Sequence, residues 1–306
     1  MNFEGRDIVS IKDFSKAELE RIMSVSDLME PLSREGSDIL KGKIMATLFF
    51  EPSTRTRISF ESAMLRLGGN YIGFTEPKLT SVEKGENLAD TVRVVENYAN
   101  LIILRHPLEG AARLVSEFVN IPIINAGSGA EEHPTQALLD LYTIKREMGK
   151  IDKLKIALIG DLRYGRTVHS LAYALSLFDV KLYLISPDLL KMRKEVLEEI
   201  NGKIEVFQET DLKKVLPKLD VIYMTRIQKE RFPDLKDYEL VKGSYRLSRD
   251  DLKFVKRKTI VMHPLPRIDE ITFDVDNTHH ARYFKQAFYG LLVRMALLSL
   301  ILGGIK

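Results

Sequence analysis

"KIMATLFFEPSTRTRISFESAMLRLGG", residues 43–69, changes its hydrophobic period partway along. Residues 43–50 form a short apolar run of strand length. Beyond it Phe60, Ala63, Met64 and Leu67 recur at i, i+3, i+4 and i+7, which marks one face of a helix. Gly68-Gly69 then stops the helix. A buried strand that runs into a helix is the repeating unit of a parallel α/β sheet. At the joint sit Ser53, Thr54, Arg55, Thr56 and Arg57, just beyond the carboxyl end of the strand, where open α/β sheets bind their ligands. Pro52 suits a helix start, and Ser53 or Thr54 would cap it. The first backbone N–H groups are then unpaired and carry the positive end of the helix dipole. Arg55 adds a planar fork matched to phosphate oxygens. A lone S-T-R would read as an ordinary cap with arginine in solvent. Two more polar residues behind it favour a phosphate cradle.

The strand–helix alternation continues along the chain. Strands are predicted over 70–74, 101–105 and 121–126, with helices near 86–100, 109–119 and 134–148. Gly149 stops the last of these. A second round has strands at 155–160, 180–186, 203–207, 221–225 and 259–265. The fold class is therefore α/β, with two doubly wound parallel-sheet domains and a ligand site in the crevice between them. The boundary falls near 149–153, giving domains of residues 1–148 and 149–285. The apolar helix at the C-terminus, within 286–306, has no strand after it and is expected to pack back on the first domain.

Composition narrows the function. The chain has 306 residues, 45% hydrophobic and 29% charged, with a net charge of +3 and no dense basic block, which argues against a nucleic-acid arm. With no cysteine there is no disulfide, thiolate metal site or cysteine nucleophile. The N-terminal residues lack the apolar segment of a signal peptide, and Met295–Gly304 is too short an apolar run to cross a bilayer. The expected location is the cytoplasm, with no membrane partner.

The other strand ends carry polar groups too. Arg105 follows one; a Gly127/Gly129 turn leads to His133, Pro134, Thr135 and Gln136 after another. In the second round, Asp161 and Arg166, then Arg226, then "PLPR" (264–267) follow three strands. "GDLRYGRT" (160–167) approaches a nucleotide P-loop, but Arg166 replaces the lysine that reaches the phosphates, so it reads better as a carboxylate or phosphate fork. The other histidines show no metal spacing, and His279-His280 reads as solvated. No metal or cofactor is expected. Neither a Ser-His-Asp set nor a pair of carboxylates emerges. The site is rich in cations and donors, suited to negative charge.

"STRTR" (53–57), "HPTQ" (133–136) and "HPLPR" (263–267) together resemble the carbamoyltransferases, in particular the aspartate-specific catalytic chains. "SVEKGENLADT" (81–91), "RHPLEGAA" (105–112), "GDLRYGRTVHSL" (160–171) and "YMTRIQKER" (223–231) extend the resemblance from about residue 40 onward. It implies transfer of a carbamoyl group from carbamoyl phosphate to the amine of L-aspartate, a step of pyrimidine biosynthesis. By position, Ser53, Thr54, Arg55 and Thr56 would hold the phosphate. Arg105, His133 and Thr56 would surround the carbonyl oxygen, and Gln136 with the backbone of Leu265 and Pro266 would hold the carbamoyl nitrogen. Lys84, Arg166, Arg226 and Gln228 would take the carboxylates of aspartate. The resemblance also implies a homotrimer in which Ser81 and Lys84 reach a neighbouring subunit's site. Some members assemble with a zinc-containing regulatory chain, which would bring allosteric control.

Two alternatives remain. Ornithine carbamoyltransferases share "STRTR" and the His-Pro-x-Gln element, but an amine-ended acceptor would be repelled by Arg166 and Arg226. Those enzymes also carry a cysteine where Pro264 stands. A non-catalytic anion-binding module is the other, against which His133 and Arg105 argue by their shared place at strand ends.

Overall fold

The computed structural model describes residues 2–75 and 81–305. They divide into two compact units, one of residues 1–139 with 288–306 and one of residues 140–287.

The first unit begins with a helix that the strand–helix reading did not include, α1 (Lys16–Glu35). Ser15 and Glu18 form a reciprocal capping box at its start, and Leu19, Ile22, Met23 and Met29 turn its apolar face inward. Then come β1 (Ile44–Phe49), α2 (Thr54–Arg66), β2 (Asn70–Phe74), α3 (Leu88–Glu96), β3 (Leu101–His106), α4 (Ala111–Ser116), β4 (Ile123–Ser128) and the start of α5 (Pro134–Met148). The four strands are all parallel, in the order β2-β1-β3-β4. Their inward residues Ala46, Leu48, Ile102, Leu104 and Ile123 pack with Val92 of α3 and Val115 of α4. Burying each large aliphatic side chain is worth roughly 1.5–3 kcal/mol. β1 and β3 are covered on both faces, so both read as unbroken apolar runs.

The second unit holds the rest of α5, then β5 (Lys155–Ile159), α6 (Arg166–Leu175), β6 (Lys181–Ile185), α7 (Lys194–Ile200), β7 (Glu205–Glu209), β8 (Val221–Met224), α8 (Leu235–Val241), β9 (Ile260–Met262) and the first turn of α9 (Tyr283–Ile301). Its five strands are parallel in the order β7-β6-β5-β8-β9. Both sheets are thus parallel α/β sheets, as the alternating pattern predicts.

From residue 288 onward, α9 belongs to the first unit. It is apolar on every side and long enough by composition to span a bilayer, yet 72% of its apolar window is buried inside the fold. A helix without a polar face that is enclosed in this way is a core helix.

Several boundaries differ from the sequence reading. The run 259–265 yields only a three-residue strand, because Leu265 takes a left-handed backbone (φ 55°) and the chain leaves the sheet at His263. The strand expected at 203–207 lies two residues later, and the helices near 86–100 and 109–119 are shorter. α7 and α8 are brief and were not separable from their loops by periodicity.

Candidate functional site

In each sheet the strand order reverses direction once. The first connection from β1 goes outward to β2 and later ones go to β3 and β4; likewise β5 leads to β6 and β7, then to β8 and β9. Ligands of open α/β sheets bind at such switch points, beyond the carboxyl ends of the strands.

At the first switch point, four residues separate the end of β1 from the start of α2. Ser53 is its N-cap residue, but its side chain makes no capping hydrogen bond, contrary to the expectation of a side-chain cap. The hydroxyl is therefore not committed to the helix N-terminus. Thr54 and Arg55 are exposed, Ser53 is half-buried and Thr56 is buried. Arg57 lies apart from this group, since its guanidinium bonds Glu61 one turn on at 3.2 Å. The i,i+4 geometry of the helix explains the diversion.

Arg105 is the next-to-last residue of β3 and pairs in register with Phe49 of β1. It is 9% exposed. Its Nη1 donates to the Ala126 carbonyl on β4 at 3.1 Å, and its Nε lies 3.5 Å from Glu51 Oε2 in the loop after β1. One side chain thus ties three adjacent strand ends together. With strands about 4.8 Å apart, those ends span about 10 Å.

After β4 the chain turns sharply. Gly129 has φ +47°, and a Cβ there would stand 2.5 Å from Glu109 and 3.1 Å from the Pro107 carbonyl. Asn125 braces the turn, accepting from Gly127 N–H at 2.8 Å and donating to Ser128 Oγ and the Val9 carbonyl. His133 comes next, buried at 4% exposure, and its carbonyl accepts from Gln136 and Ala137 at the start of α5. Gln136 is buried as well. Glu132 beside it accepts from Ser10 Oγ at 2.6 Å and Ile11 N–H at 2.8 Å. Burial raises its carboxyl pKa in spite of those two bonds. Nothing in the local sequence marks this link between residues 10 and 132.

At the second switch point, Gly160 ends β5 with φ +114°, and a Cβ there would be 2.4 Å from the Thr225 carbonyl. Only glycine allows the turn after β5 to lie against the end of β8. Asp161 N–H donates to Thr225 Oγ1 at 3.2 Å, and the Asp161 carboxylate accepts from Tyr164 N–H at 2.9 Å and Gln228 N–H at 3.4 Å. Burial raises the Asp161 pKa, opposed by those bonds and by the nearby Arg226 charge. Arg166 is buried as the first residue of α6. Arg226 pairs with Glu230, with one contact at 3.1 Å, and this hydrogen bond is the main reason Glu230 titrates below the usual carboxylate range.

The segment after β9 is held by a buried hydrogen-bond chain. Tyr223 Oη donates to Asp140 at 2.7 Å, and Gln286 Nε2 donates to the other Asp140 oxygen at 2.7 Å. Gln286 Oε1 accepts from His263 N–H at 2.9 Å. The His263 ring bonds Leu265 N–H at 2.8 Å and Glu270 at 2.6 Å. The Leu265–Pro266 bond is cis. Arg267 is paired with Asp276 and with Tyr283 Oη.

Lys84 is exposed at the end of a short turn, Ser81–Lys84, that precedes α3. His280 is buried and bonds the Thr259 carbonyl at 2.6 Å, which corrects the reading of His279-His280 as solvated; only His279 is exposed. Among the described residues no group of three His, Asp or Glu is placed to hold a metal. A cavity of about 320 Å³ in the second unit, lined by Glu147, Arg257, His279 and Arg282, lies at the amino end of β9 and includes none of the candidate substrate-binding residues.

Two parallel sheets, each with an arginine on either side of its switch point, define a class: an α/β protein built to hold small anions. Residues 6–146 match the family model for the carbamoyl-P binding domain of aspartate/ornithine carbamoyltransferase, and residues 152–301 match that for its Asp/Orn binding domain. The aspartate carbamoyltransferase catalytic subunit of Thermococcus kodakarensis is 59% identical over 306 residues, covering 99% of each chain. The catalytic subunit of M. jannaschii aspartate transcarbamoylase superposes with a TM-score of 0.88 at 54% identity over 96% of each chain. The Trypanosoma cruzi enzyme in complex with carbamoyl phosphate and aspartate gives 0.93 at 39% identity over 98% of each chain. The chain belongs to the aspartate/ornithine carbamoyltransferase family.

Proposed function

We propose that the protein transfers the carbamoyl group of carbamoyl phosphate to the α-amine of L-aspartate, giving N-carbamoyl-L-aspartate, a pyrimidine precursor, and phosphate. The observation that carries this reading is the placement of Arg55 and Arg105 at one switch point and of Arg166 and Arg226 at the other. Two anionic substrates need two cationic seats.

Ser53, Thr54, Arg55 and Thr56 hold the phosphate through hydroxyls, backbone N–H groups and a guanidinium fork. Arg105, His133 and Thr56 donate to the carbamoyl oxygen, while Gln136 and the carbonyls of Leu265 and Pro266 receive the carbamoyl N–H groups. Arg166, Arg226, Gln228 and Lys84 take the two aspartate carboxylates. The amine lone pair attacks the carbamoyl carbon, and the carbonyl oxygen becomes an oxyanion. The C–O bond to phosphate then breaks, and the leaving phosphate accepts the amine proton. Preset donors around the oxyanion account for the rate; losing one such donor costs about 100- to 1,000-fold.

Ornithine is disfavoured as acceptor by the Arg166 and Arg226 charges, and the high identity to proteins named as aspartate carbamoyltransferases supports the same choice. Supplying carbamoyl phosphate with either aspartate or ornithine and measuring the carbamoylated product tests this; product from ornithine alone refutes it. The active assembly is a homotrimer in which Ser81 and Lys84 of one copy serve a neighbour's site, a reading supported by the exposure of Lys84 on its short turn. Mixing inactive Lys84→Ala and His133→Ala proteins should restore part of the activity; no recovery after subunit exchange refutes the sharing.

A further inference from the structure

His263 is 1% exposed and makes three hydrogen bonds within the second unit, yet carries no role in the chemistry above. Its backbone N–H donates to Gln286 Oε1, whose own amide is fixed because its Nε2 donates to Asp140. Its ring makes the other two bonds. Leu265 N–H can only donate, so the Nδ1 atom 2.8 Å away carries no proton. The ring proton therefore sits on Nε2 and is donated to Glu270 Oε1 at 2.6 Å. Glu270 is held in turn, because its second oxygen accepts from Ile268 and Asp269 N–H at 3.1 Å each. The route ends at Leu265, whose φ of 55° is uncommon for a branched residue.

We propose that His263 is a positioning residue: its unprotonated Nδ1, by accepting the Leu265 N–H, aims the Leu265 and Pro266 carbonyls at the carbamoyl nitrogen. The proposal rests on the carbamoyl-transfer reading. The imidazole closes the same i to i+2 turn that an asparagine side chain closes. It also bridges to Glu270, which an asparagine is too short to reach. Nothing in "HPLPR" separates this role from direct contact with substrate; the fixed tautomer does.

Two substitutions divide the ring's functions. In His263→Asn the side-chain oxygen stands near the position of Nδ1 and can accept from Leu265 N–H, while the Glu270 bond is lost. In His263→Gln the amide nitrogen reaches toward Glu270, and no acceptor remains for Leu265. With both proteins folded by circular dichroism, kcat/KM for carbamoyl phosphate should fall about tenfold or more in His263→Gln and at most about threefold in His263→Asn, since a buried donor left unpaired is the larger penalty. Equal losses, or the reverse order, overturn the proposal. Should His263→Gln fail to fold, ¹⁵N imidazole shifts of the wild-type protein decide the same point: Nδ1 unprotonated and Nε2 protonated is expected, and a protonated Nδ1 overturns it. Wild-type protein that makes no N-carbamoyl-aspartate refutes the functional reading, whereas active wild type with indistinguishable variants refutes the positioning role alone.

Discussion

Gly160→Ala tests how closely the turn after β5 must approach the end of β8. The added Cβ would lie 2.4 Å from the Thr225 carbonyl and 2.8 Å from Thr225 Oγ1, where 3.0 Å is the practical limit, so the two segments must part by at least about 0.6 Å. Neither neighbour is the far end of a flexible chain. Alanine at φ +114° adds backbone strain of about 1–3 kcal/mol, and the forced displacement adds an amount of the same order. A combined loss of about 3 kcal/mol corresponds to a fall in Tm of roughly 6–12 °C for a unit of this size. Thr225 directly precedes Arg226, so the displacement reaches the guanidinium proposed to take an aspartate carboxylate. Misplacement by about 1 Å can cost about 100-fold, so 0.6 Å predicts roughly a tenfold drop in kcat/KM for aspartate. Carbamoyl phosphate binding in the first unit should change by less than about twofold. Calorimetry and steady-state kinetics with each substrate varied in turn measure all three quantities. A variant with wild-type Tm and wild-type aspartate kinetics would refute the reasoning.

Arg55→Ala should raise the KM for carbamoyl phosphate about 10- to 100-fold, because a charge-assisted fork is lost. Arg57→Ala should raise it less than about threefold, since Arg57 is engaged by Glu61; equal effects would place both in the cradle. Arg226→Ala should raise the aspartate KM about 10- to 100-fold while carbamoyl phosphate still binds by calorimetry. Loss of carbamoyl phosphate binding there would exchange the roles of the two units. Glu132→Gln should destabilise the protein by about 1–2 kcal/mol at pH 7, because an amide cannot accept from both Ser10 and Ile11. The folded-state pKa of Glu132 is raised, so its titration stabilises the wild type most below the unfolded value and less as pH climbs through the raised one. The stability gap between wild type and Glu132→Gln, read from urea midpoints, should therefore be wider at pH 5 than at pH 7; a gap that narrows on acidification contradicts the assignment.

The parallel sheets were legible because β1, β3, β5 and β8 are covered on both faces and so carry short unbroken apolar runs. The helix of α2 was legible from Phe60, Ala63, Met64 and Leu67, of which Phe60, Ala63 and Met64 lie on its buried face. Residues in the first turn of the helix after a strand, such as Arg55 and Arg166, could be found by asking what stands beyond each carboxyl end. Two of the links that escaped were nonlocal. Glu132 meets Ser10 across 122 positions and Gln286 meets Asp140 across 146, and no window of sequence holds both partners. Arg57 looked equivalent to Arg55 until the helical turn set it against Glu61. The Glu230 partner of Arg226 also sits four positions on, in a 3₁₀ turn that carries no hydrophobic period to announce it.

The first unit is discontinuous in the chain, with residues 1–139 completed only by residues 288–306. Leu292, Val293, Met295, Ala296, Leu297 and Leu298 of α9 are fully buried in the finished protein. During synthesis from the amino end, residues 140–287 emerge whole before this helix leaves the ribosome tunnel. The nascent chain must therefore carry an open apolar trough on its earlier half while the later half is already able to close. A stalled or clipped product lacking its last nineteen residues would leave that trough bare, and would be a substrate for chaperones rather than a smaller version of the same molecule.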